Sequence, residues 1–343
     1  MIAPRWLLRA DASHRLGGGH VLRLAALAEA AVEAGGAAHL VVGGSPAASV
    51  AGLTARGLAA TALAATTASA DDLDATLGAA RALAATAVIV DGPDLTAAYV
   101  AGLAEAGLAV VSVDDLGVAP LPTAAVINHN LGAEELAARY PAATHRLLGR
   151  RFHLLRREFR ALPAGGPPLG PGVERVAVTM GASDPAGATA RVLAALPAGR
   201  LEILVVLGPD FRTDRALTEA ASACEARGHR LELASRPADL AARLAACDLA
   251  ISSAGGTLAE LAYLGRPTVA IAIAPDQVAN ARRHAAAGLV AGGWPLAELT
   301  DAALADELRA LIADPDRRRA LARRGAATTD GRGAARVVAA LTA

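Results

Sequence analysis

The sequence predicts an α/β protein with two Rossmann-like domains, each built on a doubly wound parallel sheet. Its 343 residues suffice for two compact domains, because one domain commonly holds about 100–200 residues. Short apolar runs alternate with alanine-rich stretches, which is typical of parallel sheets covered by helices on both faces. A break rich in glycine and proline separates two such series. We therefore expect an N-terminal domain over 1–161, a linker over 162–172 and a C-terminal domain over 173–343.

Runs rich in leucine and β-branched residues predict strands, and the alanine-rich stretches between them predict helices. In the first series the predicted strands are Trp6–Ala10, His39–Val42, Ala87–Val90, Leu108–Val113 and Ala125–Ile127. The predicted helices there are Val21–Ala34, Asp71–Ala84 and Leu95–Glu105. In the second series the predicted strands are Arg175–Thr179, Leu201–Leu207, Arg230–Leu233, Leu249–Ser252 and Thr268–Ile273. Its predicted helices are Pro185–Ala195, Asp214–Arg227, Ala238–Ala245, Thr257–Leu264 and Gln277–Ala286, followed by a helical tail over 296–343.

The composition excludes several classes of protein. The formal net charge is zero, which argues against a nucleic-acid or anionic-membrane binder, because those need a basic face. All 33 basic residues are arginine, so a lysine Schiff base, a pyridoxal phosphate anchor and a Walker lysine are excluded. Cys224 and Cys247 are too few for a four-cysteine zinc site and are interpreted as small buried residues. With no signal peptide or membrane span predicted, we expect a cytoplasmic protein that is a monomer or weak dimer.

The first candidate site is the turn Gly17-Gly18-Gly19-His20, which follows the first strand and opens the first helix. In doubly wound sheets ligands bind beyond the carboxyl ends of the strands, so we expect this turn in a cleft that both domains share. Glycines let a ligand approach the helix N-terminus closely, and Asp11 lies just before the turn. His20 is then a neutral base that faces the cleft, or alternatively a histidine that only caps the helix.

The second candidate site is the run Ser252-Ser253-Ala254-Gly255-Gly256-Thr257, which again lies between a strand and a helix. The backbone N–H groups of its last three residues can hold a diphosphate without lysine or metal. Glu260 lies three residues after Thr257. That spacing has two interpretations, a capping box with Thr257 or a carboxylate that binds a ribose diol.

Further polar residues follow other predicted strands. Gln277 and Asn280 lie three apart at a helix start, where their amides can contact sugar or phosphate, although a plain helix cap at Asp276 is the alternative. Ser183 or Asp184 followed by proline predicts an ordinary helix start. The residues at or beyond strand ends of the first domain, which either face the cleft or serve as turn caps, are Asp91, Asp114, Asp115, Asn128 and Asn130. No third ligand accompanies His14 and His20, so we expect neither a metal nor a cofactor.

As an ordered set, these motifs resemble the UDP-2,4-diacetamido-2,4,6-trideoxy-β-L-altropyranose hydrolase family of the pseudaminic acid pathway and its spore-coat polysaccharide relatives. The resemblance covers most of the chain. Its residues are Arg9, Asp11, the run 17–23, 113–116, 127–130, 154–159, 181–185, 253–260 and 276–277. It implies a GT-B-like fold and a metal-independent hydrolase that releases a free sugar and a nucleoside diphosphate, UDP, from a nucleotide sugar.

The resemblance implies that His20 is the catalytic residue and that Gly255 to Thr257, with Glu260, form the nucleotide site. From the motifs themselves we also expect Asp11 to be catalytic. The residues expected to bind the substrate are Arg9, Gly18, Gly19, Asp91, Asp115, Asn128, Ser253, Gly255, Gly256, Thr257, Glu260, Gln277 and Asn280. The chain departs from the family where Asp91-Gly92-Pro93 replaces Asp-x-Tyr, since this removes an aromatic hydroxyl from the sugar pocket.

The predicted reaction is an inverting attack of water at the anomeric carbon of the sugar, with His20 as the general base. Two alternatives remain open. A GT-B glycosyltransferase would use the same histidine to deprotonate a small acceptor instead of water. A non-catalytic protein that only binds nucleotide sugars would keep the fold without the turnover.

Overall fold

The computed structural model describes residues 3–12, 18–44, 47–208 and 211–343. The chain forms two compact units. Unit one comprises Met1–Arg157 together with Gly331–Ala343, and unit two comprises Glu158–Asp330. Each unit has its own apolar core.

Unit one is built on a seven-stranded sheet. Its strands are β1 (Arg5–Ala12), β2 (Ala37–Gly44), β3 (Ala59–Ala62), β4 (Ala87–Asp91), β5 (Ala109–Val113), β6 (Ala125–Asn128) and β7 (His145–Leu148). The helices between them are α1 (Gly19–Glu33), α2 (Ala47–Ala55), α3 (Ala70–Leu83) and α4 (Ala97–Glu105), with shorter 3-10 turns at Ala133–Arg139 and Arg150–Phe152. All strand pairs are parallel, in the order β3-β2-β1-β4-β5-β6-β7.

Unit two repeats this plan with six strands. They are β8 (Arg175–Thr179), β9 (Glu202–Leu207), β10 (Arg230–Ser235), β11 (Leu249–Ser253), β12 (Thr268–Ala272) and β13 (Ala291–Pro295). The helices are α5 (Arg157–Arg160) at the boundary, α6 (Ala188–Ala195), α7 (Arg215–Ala226), α8 (Leu240–Ala245), α9 (Thr257–Tyr263), α10 (Val278–Ala286), α11 (Asp301–Ala313) and α12 (Pro315–Ala326). The strands are parallel in the order β10-β9-β8-β11-β12-β13. The two sheets confirm the predicted fold class.

The inner strands are continuous apolar runs because helices cover both faces of each sheet. Trp6, Leu7 and Leu8 of β1 are all buried although successive side chains point to opposite faces. Helix α1 packs closely on β1 because most of its inward residues are alanine, whose small side chain lets the helix approach the sheet. Helix starts follow ordinary capping chemistry; the Ser69 hydroxyl, for example, accepts a hydrogen bond from Asp72 N at 3.2 Å at the start of α3.

Among the described elements, three strands and two helices, α2 and the four-residue α5, escape the sequence prediction. β3 is a short alanine-rich edge strand that is largely exposed, so it has neither apolar alternation nor β-branched enrichment. β13 contains Gly292, Gly293 and Pro295, which predict a turn, and both glycines have positive φ where the strand register shifts. β7 and α2 have only a weak apolar pattern over a few residues.

The end of the chain does not follow the predicted boundary at 173–343. Helix α13 (Gly333–Leu341) belongs to unit one, where Ala334, Val337 and Val338 join the core that contains α1. Gly333 lies so close to the backbone of His153 that a Cβ there would come within 2.2 Å of its carbonyl oxygen. Local periodicity predicts that this segment is a helix but carries no information about which sheet it covers.

Two buried arginines hold the predicted linker 162–172 on unit two. Arg266 donates hydrogen bonds to the carbonyl oxygens of Gly165 and Pro167. Arg318, which is 1% exposed, donates to the carbonyl oxygen of Pro171 at 2.7 Å. The segment therefore has no regular secondary structure but is fixed by charge-assisted hydrogen bonds.

Candidate functional site

Each sheet has one point at which the strand order reverses. In unit one the reversal lies between β1 and β4, and in unit two it lies between β8 and β11. Connections leave such a pair of strands in opposite directions, which opens a crevice beyond their carboxyl ends where ligands of doubly wound sheets bind. We call these places the switch edge of unit one and the switch edge of unit two. Most of the predicted site residues lie at one of them.

His20 lies at the switch edge of unit one, in the first turn of α1. Its Nδ1 is 2.7 Å from Oδ1 of Asp91, the last residue of β4, whose side chain is fully buried while that of His20 is 20% exposed. Burial alone would raise the pKa of Asp91, but the charges of Arg23 and His20 outweigh it and lower this pKa below its ordinary value. An ionised Asp91 accepts the proton of Nδ1, so Nε2 of His20 keeps a lone pair that can take up a proton.

Arg23 joins two strands of this edge. Its Nε and Nη2 donate to the two oxygens of Asp91 at 2.5 and 2.6 Å. Its Nη1 donates to both oxygens of Asp115, which follows β5, at 2.8 and 2.7 Å. Arg23 is the last residue of the run 17–23 that carries the family resemblance, where no role was predicted for it. Its spacing of three residues from His20, which places both on one side of α1, was the available signal.

Asp115 and the asparagines after β6 form the next layer of the edge. Asn130 Nδ2 donates to Oδ1 of Asp115 at 2.9 Å. Asn128 is fully buried; its Oδ1 accepts from the backbone N–H of Asn130 at 3.2 Å and its Nδ2 donates to the Tyr140 hydroxyl at 3.1 Å. The structure thus brings Asp91, Asp115 and Asn128 to the carboxyl ends of neighbouring strands, and the partners of Asn128 are the backbone N–H of Asn130 and the hydroxyl of Tyr140.

His129 lies between those two asparagines in sequence and is also buried. Burial, together with the nearby charge of Arg23, lowers its pKa to about 4. Its ring lies 4.5 Å from that of His153, measured between centroids. His129 is therefore a neutral part of the packing behind the edge.

Arg9 and Asp11 belong to a separate buried network on β1. Arg9 is 1% exposed; it donates to Asp11 at 2.8 Å and to both oxygens of Asp72 on α3 at 3.0 and 2.8 Å. The other oxygen of Asp11 accepts from the Thr67 hydroxyl at 2.8 Å. The Tyr99 hydroxyl also donates to Asp72. These hydrogen bonds run into the interior of unit one, so the predicted catalytic and substrate contacts of Arg9 and Asp11 stay predictions.

The glycine turn is described from Gly18 onward, because Gly17 lies outside the described residues together with His14. Gly18 is the N-cap of α1 with φ −98°, so the positive φ that glycine allows is not used there. A Cβ at Gly18 or Gly19 would meet no atom of the described residues within 4 Å. The space beside both residues is open, as an approach to the helix N-terminus requires.

At the switch edge of unit two, the loop after β11 leads into α9. Gly256 is the N-cap of α9 and no side chain caps this end. The helix begins at Thr257, so Thr257 and Glu260 do not occupy the N-cap and N3 positions of a capping box. Glu260 is 6% exposed and lies on the inner part of the helix.

Two other predicted residues support this loop from α10 and the turn before it. Asn280 Nδ2 donates to the carbonyl oxygen of Ala254 at 2.9 Å. Gln277 accepts from Ile273 N at 3.1 Å through Oε1, and its Nε2 is 3.9 Å from where a Cβ of Gly255 would lie. Ser253 is buried, with its hydroxyl 4.0 Å from the same point. The structure therefore groups Ser253, Gly255, Gln277 and Asn280 around one short loop.

The loop after β8 lies against the same switch edge. Gly181 has φ +84°, and a Cβ built on it would lie 3.5 Å from the Ser253 hydroxyl. The N-cap of α6 is Gly187, so the helix starts after the predicted Pro185. Asp184 nevertheless binds its first turn, because its carboxylate accepts hydrogen bonds from the N–H groups of Ala188 and Thr189 at 2.9 and 2.8 Å.

Among the described residues, no group of three histidine, cysteine, aspartate or glutamate side chains is arranged to hold a metal ion. No helix in the same part of the chain is long and apolar enough to cross a bilayer.

No family model matches the sequence. Curated relatives match parts of it. Over 101 residues the chain is 46% identical to the UDP-N-acetylglucosamine–N-acetylmuramyl-(pentapeptide) pyrophosphoryl-undecaprenol N-acetylglucosamine transferase of Rhodopseudomonas palustris strain HaA2, which covers 27% of this chain and 26% of the relative. To the transferase of the same name from strain BisB5 it is 39% identical over 158 residues, or 42% of this chain and 41% of the relative. The matches thus span about a quarter to two fifths of these relatives' lengths.

Solved structures match over nearly the whole chain. MurG of Acinetobacter baumannii superimposes with a TM-score of 0.66 at 16% identity, covering 99% of both chains. The spinosyn rhamnosyltransferase SpnG gives 0.69 at 18% identity, covering 99% of this chain and 100% of its own. A UDP-N-acetylglucosamine 2-epimerase from Listeria monocytogenes, described as putative, gives 0.67 at 14% identity, covering 100% and 96%. At these identities the likeness shows the GT-B-like fold alone.

These comparisons overturn one prediction. The curated relatives are N-acetylglucosamine transferases, and the resemblance to a nucleotide-sugar hydrolase family of the pseudaminic acid pathway is wrong. It failed because it was built on short turns at strand ends, which nucleotide-sugar enzymes on this fold share whatever the acceptor. The prediction that water attacks the sugar rested on that family and is wrong as well. The alternative prediction, a glycosyltransferase with an acceptor hydroxyl, fits the relatives better.

Proposed function

We propose that this protein is a GT-B-type glycosyltransferase that moves a sugar from a nucleotide-sugar donor to an acceptor hydroxyl. The donor we propose is UDP-N-acetylglucosamine, which the names of the relatives carry. The observation that carries the proposal is the 2.7 Å contact of His20 with a buried, ionised Asp91 at a switch edge. Such a pair leaves Nε2 as a base with a fixed direction, which is what deprotonation of a hydroxyl needs.

The proposed reaction has one proton transfer and one displacement. The acceptor oxygen forms a bond to the anomeric carbon as the bond from that carbon to the diphosphate oxygen breaks. The acceptor proton moves to Nε2 of His20, and the electron pair of the broken bond leaves with the nucleoside diphosphate. Asp91 then stabilises the imidazolium that forms, without itself taking the proton.

We assign the nucleotide to the switch edge of unit two. The N–H groups at the start of α9 lack a side-chain cap, and Gly255 and Gly256 leave their backbone accessible. The loops after β8 and β12 close around the same place through Gly181 and Gln277. Backbone donors there would offset the charge that develops on the leaving diphosphate.

The test is phosphorus NMR of the full chain with UDP-N-acetylglucosamine, first alone and then with acceptors. The acceptors are a lipid-linked N-acetylmuramyl diphosphate, as in the relatives' names, and soluble glycosides. We expect UDP to accumulate only when an acceptor is present, together with one new glycosidic linkage. Equal release of UDP with and without acceptor would contradict a transferase, and so would the absence of turnover across UDP- and dTDP-linked donors.

A further inference from the structure

Arg23 is a cation held between two carboxylates at the switch edge of unit one. Its guanidinium makes two bonds to Asp91 and two to Asp115. Its Nη2 lies 3.0 Å from Nδ1 of His20 because both nitrogens donate to the same oxygen, Oδ1 of Asp91. The side chain is 14% exposed, against 0% for Asp91. A planar fork suits this arrangement, because each side of a guanidinium can bind a separate carboxylate.

We propose that Arg23 is a positioning residue that fixes the proton of His20 on Nδ1 and so keeps Nε2 free of hydrogen. It acts through Asp91 and is itself held by Asp115. The role of Arg23 in catalysis rests on the proposed function. Its effect on the tautomer of His20 does not depend on any activity.

The argument starts from the charge of the buried pair. With Arg23 present, one guanidinium faces two carboxylates and a neutral imidazole; Asp115 is 35% exposed and partly solvated, whereas the fully buried Asp91 depends on the guanidinium for its counter-charge. A buried carboxylate without a compensating cation is costly and takes up a proton instead. The charge of Arg23 therefore offsets the desolvation penalty of the buried, ionised Asp91.

Removal of that charge leaves the His20–Asp91 pair with a net negative charge in a desolvated place. The pair then gains a proton, and two arrangements are available. Either the imidazole becomes an imidazolium beside an ionised Asp91, or a protonated Asp91 donates to Nδ1 of a neutral ring. In both arrangements Nε2 carries a hydrogen, so the ring is no longer a base. A higher pH is needed to remove this proton.

The other charged groups around the pair do not replace Arg23. Asp115 after β5 adds negative charge and is itself paired with Arg23 and Asn130. Asp11 on β1 is paired with Arg9. His129 after β6 is neutral near pH 7, because its pKa is lowered to about 4. Among the described residues, the salt-bridge partners of Asp91 are Arg23 and His20, so removal of Arg23 leaves no permanently charged partner.

The experiment is a long-range ¹H–¹⁵N correlation spectrum of the histidine rings in the full chain, with His20 assigned from His20→Gln. At pH 7 the wild type is expected to show hydrogen on Nδ1 only. Arg23→Met is expected to show hydrogen on Nε2. Arg23→Lys, which restores a cation without the fork, is expected to return the ring to the wild-type form.

Activity gives a second reading. We expect kcat of Arg23→Met to fall about 10²–10⁴-fold at pH 7, the contribution typical of a general base, with an unchanged KM for the donor and partial recovery at higher pH. The kcat of Arg23→Lys is expected to lie within about tenfold of the wild-type value. The remaining loss arises because lysine lacks the fork and holds the base slightly out of place. The matched control is Arg56→Met, which removes a 2.9 Å ion pair with Glu29. Glu29 lies on α1, as His20 does, but towards the other end of that helix.

The outcomes separate the two proposals. A wild-type ring with hydrogen on Nε2, or Arg23→Met with the wild-type tautomer, would overturn the role of Arg23 whatever the enzyme does. If Arg23→Met does not fold, Arg23→Gln, which keeps a hydrogen-bond donor without the charge, takes its place and is expected to show hydrogen on Nε2. A wild-type chain without transferase activity but with the expected tautomers would refute the proposed function and leave the proton placement standing.

Discussion

The two switch edges have the same topology and different chemistry. The edge of unit one presents charged side chains that bind one another, with His20, Arg23, Asp91 and Asp115 joined over a few ångströms. The edge of unit two presents small residues and backbone, with Gly255, Gly256 and Ser253 at the start of α9. One strand order thus presents two kinds of edge, one of paired charges and one of small residues and backbone groups, which the proposed function assigns to proton transfer and to the diphosphate.

The difference follows from what stands at the end of each central strand. β4 ends in Asp91, which needs a cation because it is buried. β11 ends in two buried serines, followed by Ala254 and two glycines, which need no counter-charge and leave room for a ligand. Variants should therefore separate the units, with unit one controlling turnover and unit two controlling affinity for nucleotide.

The largest expected effect is on turnover at unit one. His20→Ala is expected to lower kcat about 10²–10⁴-fold, since it removes the general base, while UDP binds with unchanged affinity. Initial rates and calorimetric titration of UDP measure the two quantities. His145→Ala on β7 of the same unit is the control, because this histidine is exposed. If the turnover of His20→Ala were unchanged, the switch edge of unit one would not be the part of the molecule that controls turnover.

The next effect concerns acid stability of unit one. The pKa of His129 is lowered from 6.5 to about 4 when it is buried. Below about pH 6.5 the His129 imidazole therefore binds a proton in the unfolded chain but not in the folded chain. The free energy of unfolding consequently decreases as the pH falls towards 4. The decrease amounts to roughly 3 kcal/mol for this residue.

Urea unfolding at pH 7 and pH 4.5 measures this decrease. Trp294→Phe leaves Trp6, in the core of unit one, as the fluorescent reporter. We expect His129→Gln to lose much less stability than its parent over this interval, although it starts from a less stable protein. An equal pH dependence in both proteins would show that His129 is not the group that titrates.

The smallest expected effect is on nucleotide affinity at unit two. Gly255→Ala places a methyl group 3.9 and 4.0 Å from Gln277 and Ser253, which the fold accepts as ordinary contact. The methyl group would nevertheless occupy the approach to the backbone N–H groups, so we expect UDP to bind about tenfold more weakly. Gly172→Ala of the same unit, which meets no atom within 4 Å, is the control. Equal affinities would move the nucleotide away from this loop.

Much of the fold was predictable because parallel strands covered on both faces are nearly continuous apolar runs. The segments around Leu7, Ile89, Val178 and Ile251 are all buried strands, as their patterns predicted. Edge elements were not predictable in the same way. β3 is too short and alanine-rich, and the glycines of β13 serve a register shift that only pairing with β12 reveals.

The candidate site was predictable to a different degree. The location of the site residues in the fold could be predicted. The alternation of strands and helices places His20, Asp91, Asp115 and Gly255 at strand ends or helix starts, and these lie at the switch edges. Their partners could not be predicted, because hydrogen bonds between residues 68 or 92 positions apart, as for Arg23 with Asp91 and Asp115, leave no local pattern. Arg9 illustrates the same limit, since its guanidinium is committed to Asp72 on α3.

By itself, the sequence determined the alternation of strands and helices, the exclusion of lysine chemistry and the turns that lie beyond the strands. It could do so because these properties depend on residue type and on spacing along the chain. Only the tertiary structure decided that Arg23 joins two carboxylates, that buried arginines fix the linker and that α13 covers unit one. Those outcomes depend on which distant groups meet once burial makes every unpaired charge costly.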